Sequence, residues 1–295
     1  MKKEEVRQTV RKGYAEIAKQ SSPCCGSTSI TEKASSCCGT STTEKWSSCC
    51  GVGTGLAETI SKKMGYTEEE LNAVPEGANL GLGCGNPLAL ASLKKGEVVL
   101  DLGSGAGFDC FLAASAVGPS GKVIGVDMTP EMLDRARENA RKGNYTNVEF
   151  RLGEIENLPA ADNSIDIIIS NCVINLSPDK KRVFREAHRV LKPGGRLMVS
   201  DIVLLKELPD YIQESVSAYV ACVSGAIKKI DYVKAIKAAG FSDVKIMDES
   251  IFPLDCIASD PAAKAIIDEI KITPPQVEEI SASIASVKVY GLKPV

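Results

Sequence analysis

The sequence predicts an α/β protein with a mostly parallel, doubly wound sheet, extended by a flexible cysteine-rich N-terminal arm and an α+β C-terminal portion. Three observations predict it. Val98 to Cys110, VVLDLGSGAGFDC, reads as a buried strand, a glycine turn and a helix start. A second strand, Lys122 to Asp127, ends on an acidic residue. From Glu97 onward strands and helices alternate, which implies parallel strands with helices on both faces.

Val6, Val10, Tyr14 and Ile17 share one face of a helix over about Lys3 to Lys19. A low-complexity repeat follows, with CCGSTSITEKASS from Cys24, CCGTSTTEKWSS from Cys37 and CCG from Cys49. Its Ser, Thr, Gly, Lys and Glu cannot bury a core, so it reads as disordered. The pairs Cys24-Cys25, Cys37-Cys38 and Cys49-Cys50 leave two readings open: capture of a soft, thiol-seeking ion, or a duplicated linker. A short helix covers Thr59 to Met64. Glu76 to Leu93 then reads as a turn leading into a helix, capped by Asn86 with Pro87 at its first position. Cys84 precedes that helix start, where the helix dipole is expected to lower its pKa.

The strands are predicted at Val98–Leu102, Lys122–Asp127, Val148–Leu152, Ile165–Asn171 and Arg196–Asp201. The helices between them are predicted at Phe108–Ala116, Pro130–Lys142 and Asp179–Leu191, the last ended by Lys192-Pro193-Gly194-Gly195. Leu208 to Ile227 is a candidate lid containing Cys222. A helix Asp231–Ala239, a strand Val244–Ser250, a capped helix from Asp260 and a helix after Pro274-Pro275 follow. A last strand, Ser286–Leu292, is expected to close the sheet as an antiparallel member.

Ligands of such a sheet lie at the carboxyl ends of its strands, where Gly103 to Gly107, Asp127, Met128, Glu154, Ile155, Asn171 and Cys172 fall. A dinucleotide fingerprint requires a third glycine where this chain has Phe108. The pattern D-x-G-x-G-x-G from Asp101 instead resembles the first motif of class I S-adenosylmethionine-dependent methyltransferases. Asp127 is placed to accept from both ribose hydroxyls of an adenosine.

Composition narrows the function. A net charge of −3 and 5% aromatics give no footprint for nucleic acid. No signal region or membrane-spanning run is evident, so a cytoplasmic protein is expected. There the 11 cysteines are expected to be reduced, metal-binding or catalytic. His188 stands alone, which argues against a histidine zinc site or a Ser-His-Asp hydrolase. Cys110 reads as a packed small hydrophobe, His188 as structural or solvent-facing, and Asp162 and Asp166 as turn and strand-edge residues.

Taken together, the motifs resemble one family, the arsenite S-adenosylmethionine methyltransferases. DLGSGAGFD, Asp127, GEIENLP from Gly153 and HRVLKPGGRL from His188 are shared with many small-molecule methyltransferases. Three cysteine contexts are more specific: GLGCGNP at Cys84, SNCVINL at Cys172 and YVACVSGAI at Cys222. SVKVYGLKP near the end also looks like the family. The resemblance implies that arsenic(III) is held by Cys84, Cys172 and Cys222, since thiolates select soft ions. It implies cofactor contacts from Asp101, Gly103, Ser104, Gly105, Asp109, Asp127, Met128, Glu154, Ile155 and Asn171. The cofactor implied is S-adenosylmethionine. The partners implied are arsenite or its thiol conjugates and an external thiol reductant of the thioredoxin or glutathione class, serving a monomer. The boundaries expected are a helix at 1–20, the thiol repeat at 21–55, a cofactor-binding domain at 56–204 and a substrate-binding portion at 205–295. A quinone-type methyltransferase would explain the glycine loop but not the three cysteine contexts. A metalloid-sequestering protein would explain the cysteine pairs but not Asp101, the glycine loop and Asp127 together.

Overall fold

The computed structural model describes residues 3–20, 54–213, 215–220, 222–251 and 273–295. The predicted disordered repeat with Cys24, Cys25, Cys37, Cys38, Cys49 and Cys50 lies outside the described residues. So do Cys256 and the helix predicted from Asp260.

Among the described residues, four helices precede the sheet: α1 (Lys3–Gln20), α2 (Thr54–Lys63), α3 (Glu68–Asn72) and α4 (Leu88–Ala91). The alternating part runs β1 (Val98–Leu102), α5 (Phe108–Val117), β2 (Lys122–Asp127), α6 (Pro130–Lys142), β3 (Val148–Leu152), β4 (Ile165–Asn171), α7 (Lys180–Val190) and β5 (Leu191–Leu204). The described remainder is α8 (Asp210–Gln213), α9 (Val216–Val220), α10 (Lys229–Ala238), β6 (Ser242–Ile251), α11 (Pro274–Ser281) and β7 (Ile284–Leu292). The sheet order is β3-β2-β1-β4-β5-β7-β6, with β7 antiparallel to both neighbours and the other pairs parallel. The antiparallel closing strand expected from the sequence is therefore present. Among the described residues no helix is long and apolar enough to cross a membrane.

Both sheet faces are covered, as the β-branched runs require. Leu100, Leu102, Ile168 and Val199 turn to one layer with Phe184 of α7 and Tyr232 and Ile236 of α10. Val99, Ile167 and Ile169 turn to the other, against Phe111 of α5 and Leu133 of α6. Each such aliphatic side chain stabilises the fold by about 1.5–3 kcal/mol on burial.

Several predicted boundaries change: α2 begins at Thr54 rather than Thr59, and β5 runs from Leu191 to Leu204 rather than from Arg196 to Asp201. Lys192 to Gly195, expected to end the helix before them, belong instead to β5, which begins at Leu191 directly after α7. Leu191 pairs with Ile165 and Arg196 with Ile167, so those four residues bulge opposite Asp166. Gly194, at φ 77°, supplies the bend. The helix predicted before Leu93 is a single turn. Pro87, not Asn86, is its N-cap, and Asn86 one residue earlier still accepts from Ala89 N through Oδ1 at 3.1 Å.

Candidate active site

The loop after β1 doubles back over the end of β2. Gly103 N and Ser104 N both donate to Val126 O, at 2.8 and 3.0 Å. Gly103, Gly105 and Gly107 all have positive φ, so the turn is open to glycine at little strain. A Cβ on Gly103 would run into the Val173 side chain, whereas one on Gly105 would meet nothing within 4 Å. Gly105 thus presents bare backbone to an open cradle.

Asp127 holds this loop from the side. Its Oδ2 accepts from Gly105 N at 3.0 Å and its Oδ1 from Thr129 N at 2.8 Å. Burial pushes its carboxyl up, opposed by those backbone donors. Asp109 accepts from Tyr66 Oη at 2.6 Å and from Asn171 Nδ2 at 3.1 Å. Burial pushes it up to about 6. Asp101 lies deeper, where Cys110 Sγ donates to its Oδ2 at 3.2 Å. Cys110 is thus buried as expected but is also a donor to a carboxylate. Burial, then the nearby Asp109, pushes the Asp101 carboxyl well up.

These groups border one cavity. Asp101, Gly103, Ser104, Gly105, Asp109, Asp127, Met128, Ile155, Asn171 and Cys172 all line it. Ser104 Oγ is buried there without a hydrogen-bond partner. Glu154 is not brought to the cavity: it pairs with Arg7 at 3.3 Å and Arg11 at 3.6 Å, both on α1. Its neighbour Glu156 takes a place on the wall, accepting from Ser177 Oγ at 2.7 Å. Sequence reasoning also missed Arg7, Val10 and Tyr14, which close one side of the cavity. The face of α1 carrying Val10 and Tyr14 was legible, but not the cavity it covers.

The three singled-out cysteines converge beyond this wall. Cys84, Cys172 and Cys222 are 2%, 6% and 3% exposed and pack in one cluster. Cys172 Sγ stands within hydrogen-bonding reach of both other thiols. Among the three, Cys172 alone borders the cavity. Cys84 N is held by Asn171 Oδ1 at 3.0 Å, and its Sγ donates to Ser200 O at 3.5 Å. Ser200 O also accepts from Cys172 N at 2.8 Å. Cys222 Sγ donates to Cys172 O at 2.8 Å, which ties the candidate lid to the end of β4. Cys172 and Cys222 sit at φ 58° and 64°, a left-handed backbone that non-glycine residues adopt at a cost.

The expected lowering of the Cys84 pKa is corrected. Burial is the largest influence, and the thiol is pushed up. A single-turn helix offers too small a dipole to oppose it. Cys172 is pushed well up, first by its hydrogen bonds with the Cys222 and Cys84 thiols. Both shifts favour the neutral thiol at Cys84 and Cys172.

Asp201, which sequence reasoning passed over, lies beside the cluster, 1% exposed. The expected strand ends on Asp201, but β5 runs on to Leu204, and no local pattern marks its place beside two cysteines from other elements. Burial pushes it up to about 7.

A pH dependence follows from Asp109. Its folded pKa of about 6 exceeds the ordinary 3.8, so the folded state holds the proton more tightly than the unfolded one. The resulting stability is full below about 3.8 and is lost as pH rises through about 6. Asp201 acts with the same sign up to about 7, while His188, whose pKa is lowered, opposes it. Thermal melts of the cofactor-free Asp109→Asn variant are expected to decline less between pH 4 and pH 6 than those of the unaltered chain. Parallel profiles would count against a buried, largely neutral Asp109.

A family model described as a methyltransferase domain matches residues 93–248. An arsenite methyltransferase of Halobacterium salinarum is 48% identical over 249 residues, 84% of this chain and 60% of that protein. An arsenite methyltransferase of Aquipseudomonas alcaligenes is 45% identical over 174 residues, 57% of this chain and 50% of that protein. The chain therefore spans about half to three-fifths of these relatives' length. Among solved structures, an arsenic(III) S-adenosylmethionine methyltransferase from Chlamydomonas reinhardtii matches with a TM-score of 0.58 and 32% identity. That match covers 81% of this chain and 74% of the other.

Proposed function

Because this chain belongs to the methyltransferase-domain family, among its arsenite S-adenosylmethionine methyltransferases, we propose that it methylates trivalent arsenic held by Cys84, Cys172 and Cys222. The observation that carries the reading is the joint geometry. Three buried thiols pack together behind a cavity that Cys172 borders with the glycine loop and Asp127.

The chain's own groups fit an adenosine-bearing cofactor. Gly105 leaves a cradle that a Cβ would fill, Ser104 Oγ lacks a partner, and Asp127 offers a fixed carboxylate. Ile155 supplies an apolar wall for the base, and Asn171 sits between Asp109 and Cys84. S-adenosylmethionine, when bound, supplies a methyl group already activated on a sulfonium.

Arsenite enters as a neutral trihydroxide. Three thiols replace its three hydroxyls, their protons leaving with the hydroxyls as water, so no charge is buried. The cluster then holds arsenic in place, and proximity is its main contribution. Cys172, between the other two thiols and the cavity, directs the arsenic toward the cofactor side. Transfer oxidises the arsenic, and its return to the trivalent state takes two electrons from thiols that become a disulfide. An external thiol reductant, one dithiol of the thioredoxin class or two thiols of the glutathione class, reopens that disulfide and is itself oxidised to a disulfide. Arsenite or its thiol conjugates are the proposed substrates, and the setting is a monomer in the cytoplasm. The division at 1–20, 21–55, 56–204 and 205–295 is kept as the working domain scheme. Pure protein with labelled S-adenosylmethionine and arsenite should yield labelled methylarsenic. Label transferred to a quinone instead, or arsenite bound without turnover, would overturn the reading.

The pairs Cys24-Cys25, Cys37-Cys38 and Cys49-Cys50 are proposed as auxiliary thiols on a tether. Tethering raises their effective concentration to about the millimolar range. Because the repeats are near-identical, serine replacement of one pair is expected to change turnover little. Replacement of all three is expected to slow it when arsenite or dithiol is scarce. Equal rates for the unaltered and triple-pair variants under every condition would make the repeat a plain linker.

A further inference from the structure

We infer that Cys84, Cys172 and Asp201 form a binding site for a thiophilic divalent cation of the zinc or cadmium class. It shares two thiols with the proposed arsenic site but has a different donor set. The two Sγ atoms and a carboxylate oxygen of Asp201 all lie within 4.8 Å of one another. All three residues are buried, Asp201 most deeply at 1% exposed.

The carboxylate is aimed and held. Asn175 Nδ2 donates to Asp201 Oδ1 at 2.9 Å, and Tyr232 Oη donates to Oδ2 at 3.0 Å. Asn175 is itself fixed by donating to Ile202 O at 2.6 Å. Outer partners of this kind orient metal-binding carboxylates. The proposed arsenic chemistry has no use for a carboxylate, because three thiols already satisfy trivalent arsenic. A borderline-soft divalent ion accepts sulfur and carboxylate oxygen together in one small site. A hard cation such as magnesium prefers an all-oxygen shell, which this cluster does not offer.

Charge separates the two ligands as well. Arsenic with three thiolates is neutral. A divalent cation with two thiolates and a carboxylate carries one net negative charge, the two thiol protons, and the Asp201 proton where that carboxyl holds one, passing to the buffer. Lys180 Nζ donates to Asn175 O at 3.3 Å and Ser177 O at 3.1 Å, beside the Asn175 side chain that holds Asp201. Its ammonium balances the remaining charge. Cys222 is not one of the cluster, and its Sγ is engaged with Cys172 O. Arsenic needs Cys222; the divalent cation needs Asp201. The two ligands therefore exclude one another through shared Cys84 and Cys172, and the cation acts as an inhibitor.

The test uses the full chain with Cys24, Cys25, Cys37, Cys38, Cys49, Cys50 and Cys256 replaced by serine. Cadmium chloride is titrated without cofactor, read by the ultraviolet thiolate-to-cadmium charge-transfer band. Arsenite retention is measured separately by dialysis. One cadmium per chain is expected, displaced by arsenite. Asp201→Asn should weaken cadmium at least about tenfold and leave arsenite retention unchanged. Cys222→Ser should do the reverse. Should Asp201→Asn fail to fold, judged by circular dichroism, Tyr232→Phe frees the carboxylate and should weaken cadmium alone. Cadmium affinity unchanged in a folded Asp201→Asn or Tyr232→Phe variant would overturn the inference. So would an equal loss in Cys222→Ser, which would mean a three-thiol cadmium site. If no variant retains arsenite, the arsenic reading fails while the cadmium titration still decides this one.

Discussion

Replacing Cys172 with serine is expected to lower arsenic methylation by more than about a thousandfold, at every methylation step, because positioning is the site's main contribution. Cys172 packs with the other two cysteines, its carbonyl accepts from Cys222 Sγ, and alone among the three it borders the cavity. Serine keeps the Cβ and so leaves the left-handed backbone at φ 58° as it is. The change is therefore one of ligand chemistry, a hard hydroxyl for a soft thiol. Cys222→Ser is expected to match it, since Cys222 brings the lid's thiol to the same point. Cys84→Ser is expected to stop at least the later rounds. The measurements are methylated arsenic by chromatography and cofactor affinity by calorimetry. Normal turnover of arsenite by Cys172→Ser would refute the three-thiol site.

Asp127→Ala is expected to abolish cofactor binding while arsenite retention survives. Two hydrogen bonds from ribose hydroxyls to a carboxylate contribute about 1.5–3 kcal/mol each. Their joint loss is a hundredfold in affinity or more, at about 1.4 kcal/mol for each factor of ten. The structure adds a second cost, because Asp127 also accepts from Gly105 N and Thr129 N and so shapes the loop it serves. Asp127→Asn retains an oxygen acceptor for one of these donors and should lose less than Asp127→Ala. The thiol cluster hangs on Asn171, Ser200 O and Cys172 O, none of which leans on Asp127. Unchanged calorimetric affinity for S-adenosylmethionine would sink the assignment.

By itself the sequence determined the alternation of β1 to β5 with α5 to α7, the glycine loop, Asp127, and the three cysteines to watch. These signals are local. A β-branched run, a glycine spacing or a cap residue acts within a few positions, and the antiparallel β7 completes what they imply. Tertiary structure decided everything that depends on distance along the chain. It turned Glu154 from the cavity toward Arg7 and Arg11, residues nearly 150 positions away, because α1, packed on α6 and α9, brings both guanidinium groups to the loop after β3. It absorbed Lys192 to Gly195 into β5 as a bulge, since Leu191 and Arg196 both find partners on β4. It reversed the expected pKa of Cys84, because desolvation by residues from β4, β5 and the lid outweighs one helical turn. And it set Asp201 beside Cys84 and Cys172, which no local pattern marks. Burial and electrostatics are properties of the assembled neighbourhood, and the neighbours of a buried group are chosen by the fold rather than by adjacent residues.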